Sequence, residues 1–77
     1  MRTEPIRWGI LGTGFIAKAF AEALRGLPGA ELAAVASRSQ AKADTFGTRF
    51  DVPRRYGSYA ELAHDPAVDI VYVATPH

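Results

Sequence analysis

Two spacings of apolar residues alternate along the chain, and they predict strands that are separated by helices. The apolar run 6–11 predicts a first strand, which ends at Gly12. From Phe15 onward the apolar residues follow the period of a helix, and Gly26 predicts where that helix ends. We expect one apolar stripe of this helix to face the sheet. That stripe comprises Phe15, Ile16, Ala19, Phe20, Ala23, Leu24 and Leu27.

The same alternation continues along the rest of the chain. The uninterrupted apolar run 32–36 is typical of a strand that is buried on both faces. Ser39 is placed to cap a second helix, and Ser58 and Glu61 have the spacing of a capping box at the start of a third. The predicted elements after the first helix are a strand over 32–36, a helix capped by Ser39 with Ala43, Phe46 and Phe50 on its inner side, a strand over 54–56, a helix over 59–63 and a strand over 69–74.

The order of these elements predicts the fold class. Strands that alternate with helices form a parallel sheet, and right-handed crossovers place the first two helices on one face of it. If the last strand pairs with the first, the third helix lies on the opposite face and is too short to cover it. We therefore predict an α/β fold with a Rossmann-type parallel sheet of about four strands in the order 3-2-1-4, three-layered but with one face poorly covered.

Composition and net charge argue for some classes of protein function and against others. The chain has 77 residues, enough for one small domain, and its 48% hydrophobic and 22% charged residues are typical of a globular protein. A net charge of +1 argues against a nucleic-acid or membrane partner held by bulk charge. The only adjacent basic pair is Arg54-Arg55, and we expect both arginines to be solvated at a strand edge.

The residue types that are missing also carry information. The chain has no cysteine, which excludes disulfides, thiolate zinc sites and cysteine nucleophiles. No apolar run approaches the ~18 residues of a membrane-spanning helix, and the N-terminal residues lack the apolar core of a signal peptide. We expect a cytoplasmic protein with no membrane partner.

The segment from Gly12 to Ala17 fits the pattern G-x-G-x-x-G/A between a strand and a helix. In this pattern Gly12 allows a tight turn, Gly14 lets a pyrophosphate approach the backbone, and Ala17 lets the helix pack closely on the strand. Free N–H groups and the positive end of the helix dipole then face the anion. The pattern predicts dinucleotide binding, with a tight turn that holds no ligand as the alternative.

The end of the second strand bears on the choice of dinucleotide. A free ribose 2′-hydroxyl is usually bound by Asp or Glu at this point, but here the chain has Ser37-Arg38. Serine can donate to a 2′-phosphate and arginine can bind it with two N–H groups, and Lys42 could add a second cation. We therefore predict NADP(H) as the preferred coenzyme, with NAD(H) also possible. The alternative is that Ser37 belongs to the helix cap and Arg38 is solvated.

Thr75 and Pro76 follow the last strand, at the same carboxyl edge of the sheet as the glycine loop. Ligands of such sheets bind in the crevice at this edge. The two residues are therefore candidates to line the ribose and the nicotinamide, and a proline turn that merely ends the strand explains them equally well.

The segments "RWGILGTGFIA" and "YGSYAELAHDPAVDIVYVATPH" resemble the N-terminal part of the Gfo/Idh/MocA family. The resemblance implies an NAD(P)-dependent oxidoreductase that moves hydride between nicotinamide C4 and a carbon bearing a hydroxyl, on a sugar, an inositol or a related diol. It also implies cofactor-binding roles for Gly12, Thr13, Gly14, Phe15, Ile16, Ser37, Arg38, Thr75 and Pro76, with weaker indications for Lys42 and His77.

Two hypotheses about function follow. In the first, residues 1–77 form an NAD(P)-binding half-domain whose substrate domain is absent, and the family's Glu-Lys-Pro motif, with its catalytic lysine, lies beyond them. The chain alone then contains no catalytic and no metal-ligating residue and catalyses nothing. In the second, the chain is a non-enzymatic nucleotide-binding module that self-associates. Under both we expect a homo-oligomer that forms through the edge of the last strand or through the uncovered sheet face.

Overall fold

A computed structural model describes residues 4–75, in which four parallel strands form one sheet. The elements along the chain are β1 (Ile6–Leu11), α1 (Phe15–Arg25), β2 (Ala30–Ala36), α2 (Gln40–Phe50), β3 (Arg54–Tyr56), α3 (Tyr59–Ala63) and β4 (Ile70–Val73). The strand order is β3-β2-β1-β4. The predicted Rossmann-type sheet is therefore confirmed.

The helices lie on the two faces as the crossover rule predicts. On one face, α1 and α2 cover the central strands, and their core includes Ile10, Ala17, Ala21, Val35, Phe46, Phe50 and Val52. On the other face, Leu62 of α3 packs against Ala34 and Ala36 of β2. Tight packing is possible here because β2 presents small side chains to the short helix.

The apolar stripe expected on α1 is wrong in most of its members. The helix buries Ala17, Ala21 and Leu24, whereas Phe15 is 83% exposed and Ile16 is 53% exposed. Alanines face the sheet because they let the helix axis come close to the strands. The large residues at the start of α1 lie beyond the ends of the strands, where little chain covers them.

The pairing of β1 with β2 contains a register shift that the sequence did not indicate. Trp8 lies opposite Leu32, but Gly9 lies opposite Ala34, so Ala33 is an extra residue in β2. As a result Leu32 and Val35 both contribute to the core under α1 and α2, although their spacing in a regular strand would put them on opposite faces.

One face of the sheet is poorly covered, as predicted. Val71 and Val73 of β4 are exposed, and Val73 is 63% exposed. Val71 and Val73 lie opposite Gly9 and Leu11 on the α3 side, where the five residues of α3 do not reach them. Within residues 4–75 no helix has both the length and the apolar character needed to cross a membrane.

Candidate functional site

Three loops meet at the carboxyl edge of the sheet. The N–H of Gly12 donates to the carbonyl of Ala36 (2.8 Å), and the N–H of Ala74 donates to the carbonyl of Leu11 (2.9 Å). These bonds extend the strand pairing beyond the ends of β1 and β4. They hold the glycine loop between the residues that follow β2 and those that follow β4, so Ala74 and Thr75 lie at the same carboxyl edge as the glycine loop, as predicted.

Gly12 is required by the fold itself. Its φ is +107°, a backbone conformation that other residues rarely adopt. A Cβ at this position would lie 3.1 Å from the carbonyl oxygen of Ala74, on the neighbouring loop. The residue is buried under the loop, so its role in the chain is conformational.

Gly14 is different, because nothing in the described chain requires glycine there. Its φ is −81° and its ψ is −164°, which any residue can adopt. A Cβ at this position would have no atom within 4 Å. The missing side chain therefore leaves open space in front of the first turn of α1.

The start of α1 presents unpaired backbone donors to that space. Gly14 is the N-cap residue, and no side chain caps the helix. The N–H of Lys18 makes the first bond within the helix, to the Gly14 carbonyl (3.0 Å), so the three amides before it have no partner within the helix. The first turn contains no acidic residue. Unpaired N–H groups and the helix dipole together favour an anion at this point.

By contrast, α2 and α3 are capped by their own serines. The Oγ of Ser39 accepts the N–H of Lys42 (3.3 Å), and the Oγ of Ser58 accepts the N–H of Glu61 (3.3 Å). Both predicted caps are thus confirmed. Each serine thus pairs one amide of the first turn of its helix, whereas no side chain caps α1.

A cleft of about 680 Å³ opens between the start of α1 and the β2–α2 junction. Its lining residues are Thr13, Gly14, Lys18, Ser37, Arg38, Ser39, Ala41, Lys42, Thr45, Phe46, Arg49 and Tyr59. Four of these side chains are cationic and none is a carboxylate. The cleft is therefore suited to an elongated, negatively charged ligand.

Five of the predicted site residues lie together in this cleft: Thr13, Gly14, Ser37, Arg38 and Lys42. The other described ones lie around it. Gly12 is buried beside the loop, and Thr75 follows Ala74 on the other side of Gly12. Phe15 and Ile16 do not line the cleft. Pro76 and His77 lie outside the described residues.

Ser37 and Ser39 have separate tasks at the β2–α2 junction. Ser37 is buried, and its Oγ accepts the N–H of Ser39 (3.2 Å), which shapes the turn. Ser39, and not Ser37, caps α2. The hydroxyl hydrogen of Ser37 therefore remains available as a donor to a ligand in the cleft.

A hydrogen-bonded network behind the cleft fixes β3 to the loop after α3. The N–H of Ser37 donates to the carbonyl of Tyr56 (3.0 Å), and the hydroxyl of Tyr56 donates to the Oδ2 of Asp65 (2.7 Å). This hydrogen bond, with burial, raises the pKa of Tyr56. Burial works to raise the pKa of Asp65, but the hydrogen bonds from Tyr56 and from the Ala67 N–H, together with the Arg54 charge, bring the pKa of Asp65 below its ordinary value.

Several cleft residues were missed from the sequence. Thr45 and Arg49 follow the predicted Lys42 at i+3 and i+7, which makes a stripe on one face of α2. Lys18 is four residues after Gly14, one helical turn beyond the loop. Both spacings were visible in the sequence, but only the packing of α1 beside α2 shows that they face a common space.

Comparison with known proteins places this arrangement among coenzyme-binding oxidoreductases. A family model described as Gfo/Idh/MocA, an oxidoreductase family with an NAD-binding Rossmann fold, matches residues 6–77. Trans-1,2-dihydrobenzene-1,2-diol dehydrogenases from Mus musculus and Danio rerio are 46% and 49% identical over 74 residues. Each alignment covers 94% of this chain and 22% of the relative, so the chain spans about a fifth of the length of these curated relatives.

Solved structures with bound coenzyme have the same fold over the length of this chain. KijD10, a 3-ketoreductase from Actinomadura kijaniata in complex with NADP, is 36% identical with a TM-score of 0.89, over 95% of this chain and 23% of that one. GenD2 from gentamicin A biosynthesis, in complex with NAD, is 30% identical with a TM-score of 0.83, over 96% of this chain and 21% of that one.

Proposed function

The chain belongs to the Gfo/Idh/MocA family of oxidoreductases and has its NAD-binding Rossmann fold, and from this premise we propose how the whole protein works. It transfers hydride between a nicotinamide dinucleotide and a sugar, an inositol or a related diol. Residues 1–77 serve as the coenzyme-binding half-domain. The substrate domain and the catalytic groups lie outside them, which the small share of its relatives' length supports.

One observation carries the proposal, namely the open space at Gly14. Neither backbone conformation nor packing requires glycine at that position, so a ligand that comes close to the backbone is the remaining reason for it. The unpaired amides of the first turn of α1 would bind the pyrophosphate of the coenzyme. When bound, the nicotinamide supplies the hydride donor or acceptor.

Substitution of Gly14 by alanine tests this directly. We expect Gly14→Ala to weaken NADP(H) binding at least about tenfold, because a methyl group occupies the space in front of the amides, while stability is unchanged or slightly raised. Gly26→Ala is the matched control. It also has an allowed φ and no atom within 4 Å of a Cβ, but it ends α1 at the opposite edge of the sheet.

Calorimetric titration with NADPH and urea denaturation of both variants give the required measurements. If Gly14→Ala binds coenzyme as tightly as the parent chain, the glycine loop is not the pyrophosphate site and the proposal is wrong. If Gly26→Ala also loses binding, the loss at Gly14 reflects a general disturbance of α1.

We further propose that NADP(H) is preferred over NAD(H). Related structures contain either coenzyme, so the preference rests on this cleft. Ser37 would donate to the 2′-phosphate, and Arg38 and Lys42 would supply positive charge to it. The cleft has no carboxylate to bind a free 2′-hydroxyl, which supports the same choice.

Arg38→Ala tests the coenzyme preference. Loss of a charge-assisted contact to phosphate should cost about 1.5–3 kcal/mol in NADP binding and little in NAD binding. The measurement is a parallel titration with both coenzymes. Equal losses for the two would contradict a role for Arg38 at the 2′-phosphate.

Four further residues have proposed roles at the other end of the coenzyme or at its pyrophosphate. Thr75 and Pro76 would line the ribose and nicotinamide, and the position of Ala74 against Gly12 supports this for Thr75. Phe15 and Ile16 would contribute through their backbone N–H groups.

A cytoplasmic location and the absence of a nucleic-acid partner are also proposed, because the chain has no cysteine and only a small net charge.

A second candidate function, self-association, has its own support in the exposed β4 surface. Ile70, Val71 and Val73 are exposed apolar residues next to a strand edge that no described residue pairs. Such an edge favours strand pairing between chains. Sedimentation over a range of concentrations tests it, and a monomer at the highest concentration would contradict the proposed homo-oligomer.

A further inference from the structure

The α1 wall of the cleft contains a cation that neither the glycine loop nor the β2–α2 junction accounts for. Lys18 lies one helical turn after Gly14 and lines the cleft together with Thr13 and Gly14. Lys18 therefore shares the cleft with Ser37, Arg38 and Lys42, the residues proposed for the 2′-phosphate.

Lys18 is also free to act on a ligand. Glu22, the acidic residue one turn further along α1, is paired with Arg25 (3.7 Å). Within residues 4–75 the Lys18 ammonium has no ion-pair partner, and the cleft lining contains no carboxylate. An unpaired lysine at a water-filled cleft can bind an anion without first giving up another contact.

The opposite wall of the cleft supplies the complementary cations. Arg38 precedes α2 and Lys42 lies in its first turn, both facing the cleft. Arg49, further along α2, has its guanidinium 5.1 Å from the centre of the Phe50 ring. Arg49 lies about two helical turns beyond Lys42, so Arg38 and Lys42 are the cations at the start of α2, and Lys18 is the cation that α1 contributes to the cleft.

We infer that Lys18 is a specificity-determining residue that binds the 2′-phosphate of NADP(H) from the α1 side of the cleft. This inference rests on the proposed coenzyme function. A phosphate monoester is close to a dianion at neutral pH and has three acceptor oxygens, so it can accept donors from both walls at once. NAD(H) has only a hydroxyl at this position and gains nothing from a second wall of positive charge.

The test compares two pairs of ligands that differ only in the phosphate. NADPH with NADH, and adenosine 2′,5′-bisphosphate with 5′-AMP, are titrated into the parent chain, Lys18→Met, Lys18→Arg and the control Arg25→Met, which removes a cation of α1 that does not line the cleft. We expect Lys18→Met to weaken binding of the two 2′-phosphorylated ligands about fivefold, because the lost contact is partly exposed to solvent, and to leave NADH and 5′-AMP unchanged. Lys18→Arg should retain most of the affinity.

Dependence on salt supplies a readout that a purely structural role would not change. The advantage of NADPH over NADH should fall with added salt in the parent chain, and this fall should be smaller in Lys18→Met because fewer exposed charges contribute. If Lys18→Met binds NADPH as the parent does, or if Arg25→Met reproduces the fivefold loss, the assignment of Lys18 is wrong. If the parent chain binds neither dinucleotide, the proposed coenzyme function itself fails.

Discussion

At the scale of single residues, the two glycines of one motif are present for different physical reasons. Gly12 has a φ of +107° and faces a neighbouring carbonyl, so the fold requires it. Gly14 has an ordinary backbone conformation and open space in front of it. The motif identified both positions from the sequence, but only the structure separates the residue that shapes the loop from the residue that leaves room for a ligand.

The first prediction concerns Gly12. Substitution by alanine forces an unfavourable φ and brings a Cβ to 3.1 Å from the Ala74 oxygen. We expect Gly12→Ala to lower the free energy of unfolding by about 1–2 kcal/mol or more, in contrast to Gly14→Ala. Urea denaturation of the two variants side by side measures the difference. Equal stability of both variants would contradict the assigned roles.

The second prediction concerns Asp65, whose carboxylate is buried and hydrogen-bonded. Its pKa in the folded chain is below the ordinary value of 3.8, so its contribution to stability is full above that value and is lost as pH falls through the lower folded pKa. Asp65→Asn should destabilise the chain by about 1–3 kcal/mol near neutral pH. The gap between the variant and the parent should narrow as the medium becomes more acidic than pH 3.8.

Urea midpoints of the parent chain and Asp65→Asn over an acidic pH series provide the measurement. Tyr56→Phe serves as the control, because it removes one hydrogen bond to Asp65 and keeps the carboxylate. A stability gap that stays constant with pH would show that the charge of Asp65 does not contribute.

At the scale of elements, a side chain of the strand β3 determines which residue α2 can accept at one of its positions. Arg55 of β3 lies across α2 at Gly47, and a Cβ on Gly47 would overlap its side chain. The Nε of Arg55 donates to the carbonyl of Val52 (2.8 Å), and its Nη1 donates to the Oγ1 of Thr48 (3.2 Å). Arg55 is therefore half-buried and bonded over the end of α2, so the expectation of a solvated arginine was wrong there.

The third prediction follows from this contact: the effect of Gly47→Ala on the free energy of unfolding should change sign when the Arg55 side chain is removed. Alanine normally favours a helix over glycine by about 1 kcal/mol, but Gly47→Ala should destabilise the parent chain because it displaces Arg55. In the Arg55→Ala background the same substitution should become stabilising. A double-mutant cycle by urea denaturation measures the coupling. Equal effects of Gly47→Ala in the two backgrounds would contradict the packing argument.

The elements differ in how well their sequences specified them. The bounds of β1, β3 and α3 match their predictions, because each is enclosed by strong signals such as Gly12, Pro53 and the Ser58 cap. The face of α1 was predicted wrongly. Large apolar side chains dominated the pattern, whereas the packed face uses alanines whose small size, and not their hydrophobicity, is what the sheet requires.

At the scale of the whole molecule, the uneven covering of the sheet is the dominant feature. One face has two helices of eleven residues and the other has a single helix of five. A small chain with an incompletely covered sheet has little stability to spare. The proposed self-association rests on the exposed apolar side chains of β4.

The fourth prediction concerns this surface. Val73→Lys places a charge on the exposed β4 face and should shift the chain toward monomer, since a charge at a strand edge opposes pairing. Leu27→Lys is the matched control, because Leu27 is also an exposed apolar residue but lies in the turn after α1. Sedimentation velocity of both variants checks the result. If both variants shift equally toward monomer, the chains associate through exposed apolar residues in general and not through β4.

The sequence by itself determined the order of strands and helices, the parallel sheet and the position of the glycine loop, because these depend on local signals: apolar period, caps and turns. Tertiary structure alone decided the register shift at Ala33, the alanine face of α1 and the meeting of Lys18 with Arg38 across a cleft. The physical reason is that residues 32–36 of β2 are all apolar, so no polar position after Glu31 marks the register. Likewise a lysine on one helix and an arginine before another share a ligand only when packing sets the space between them.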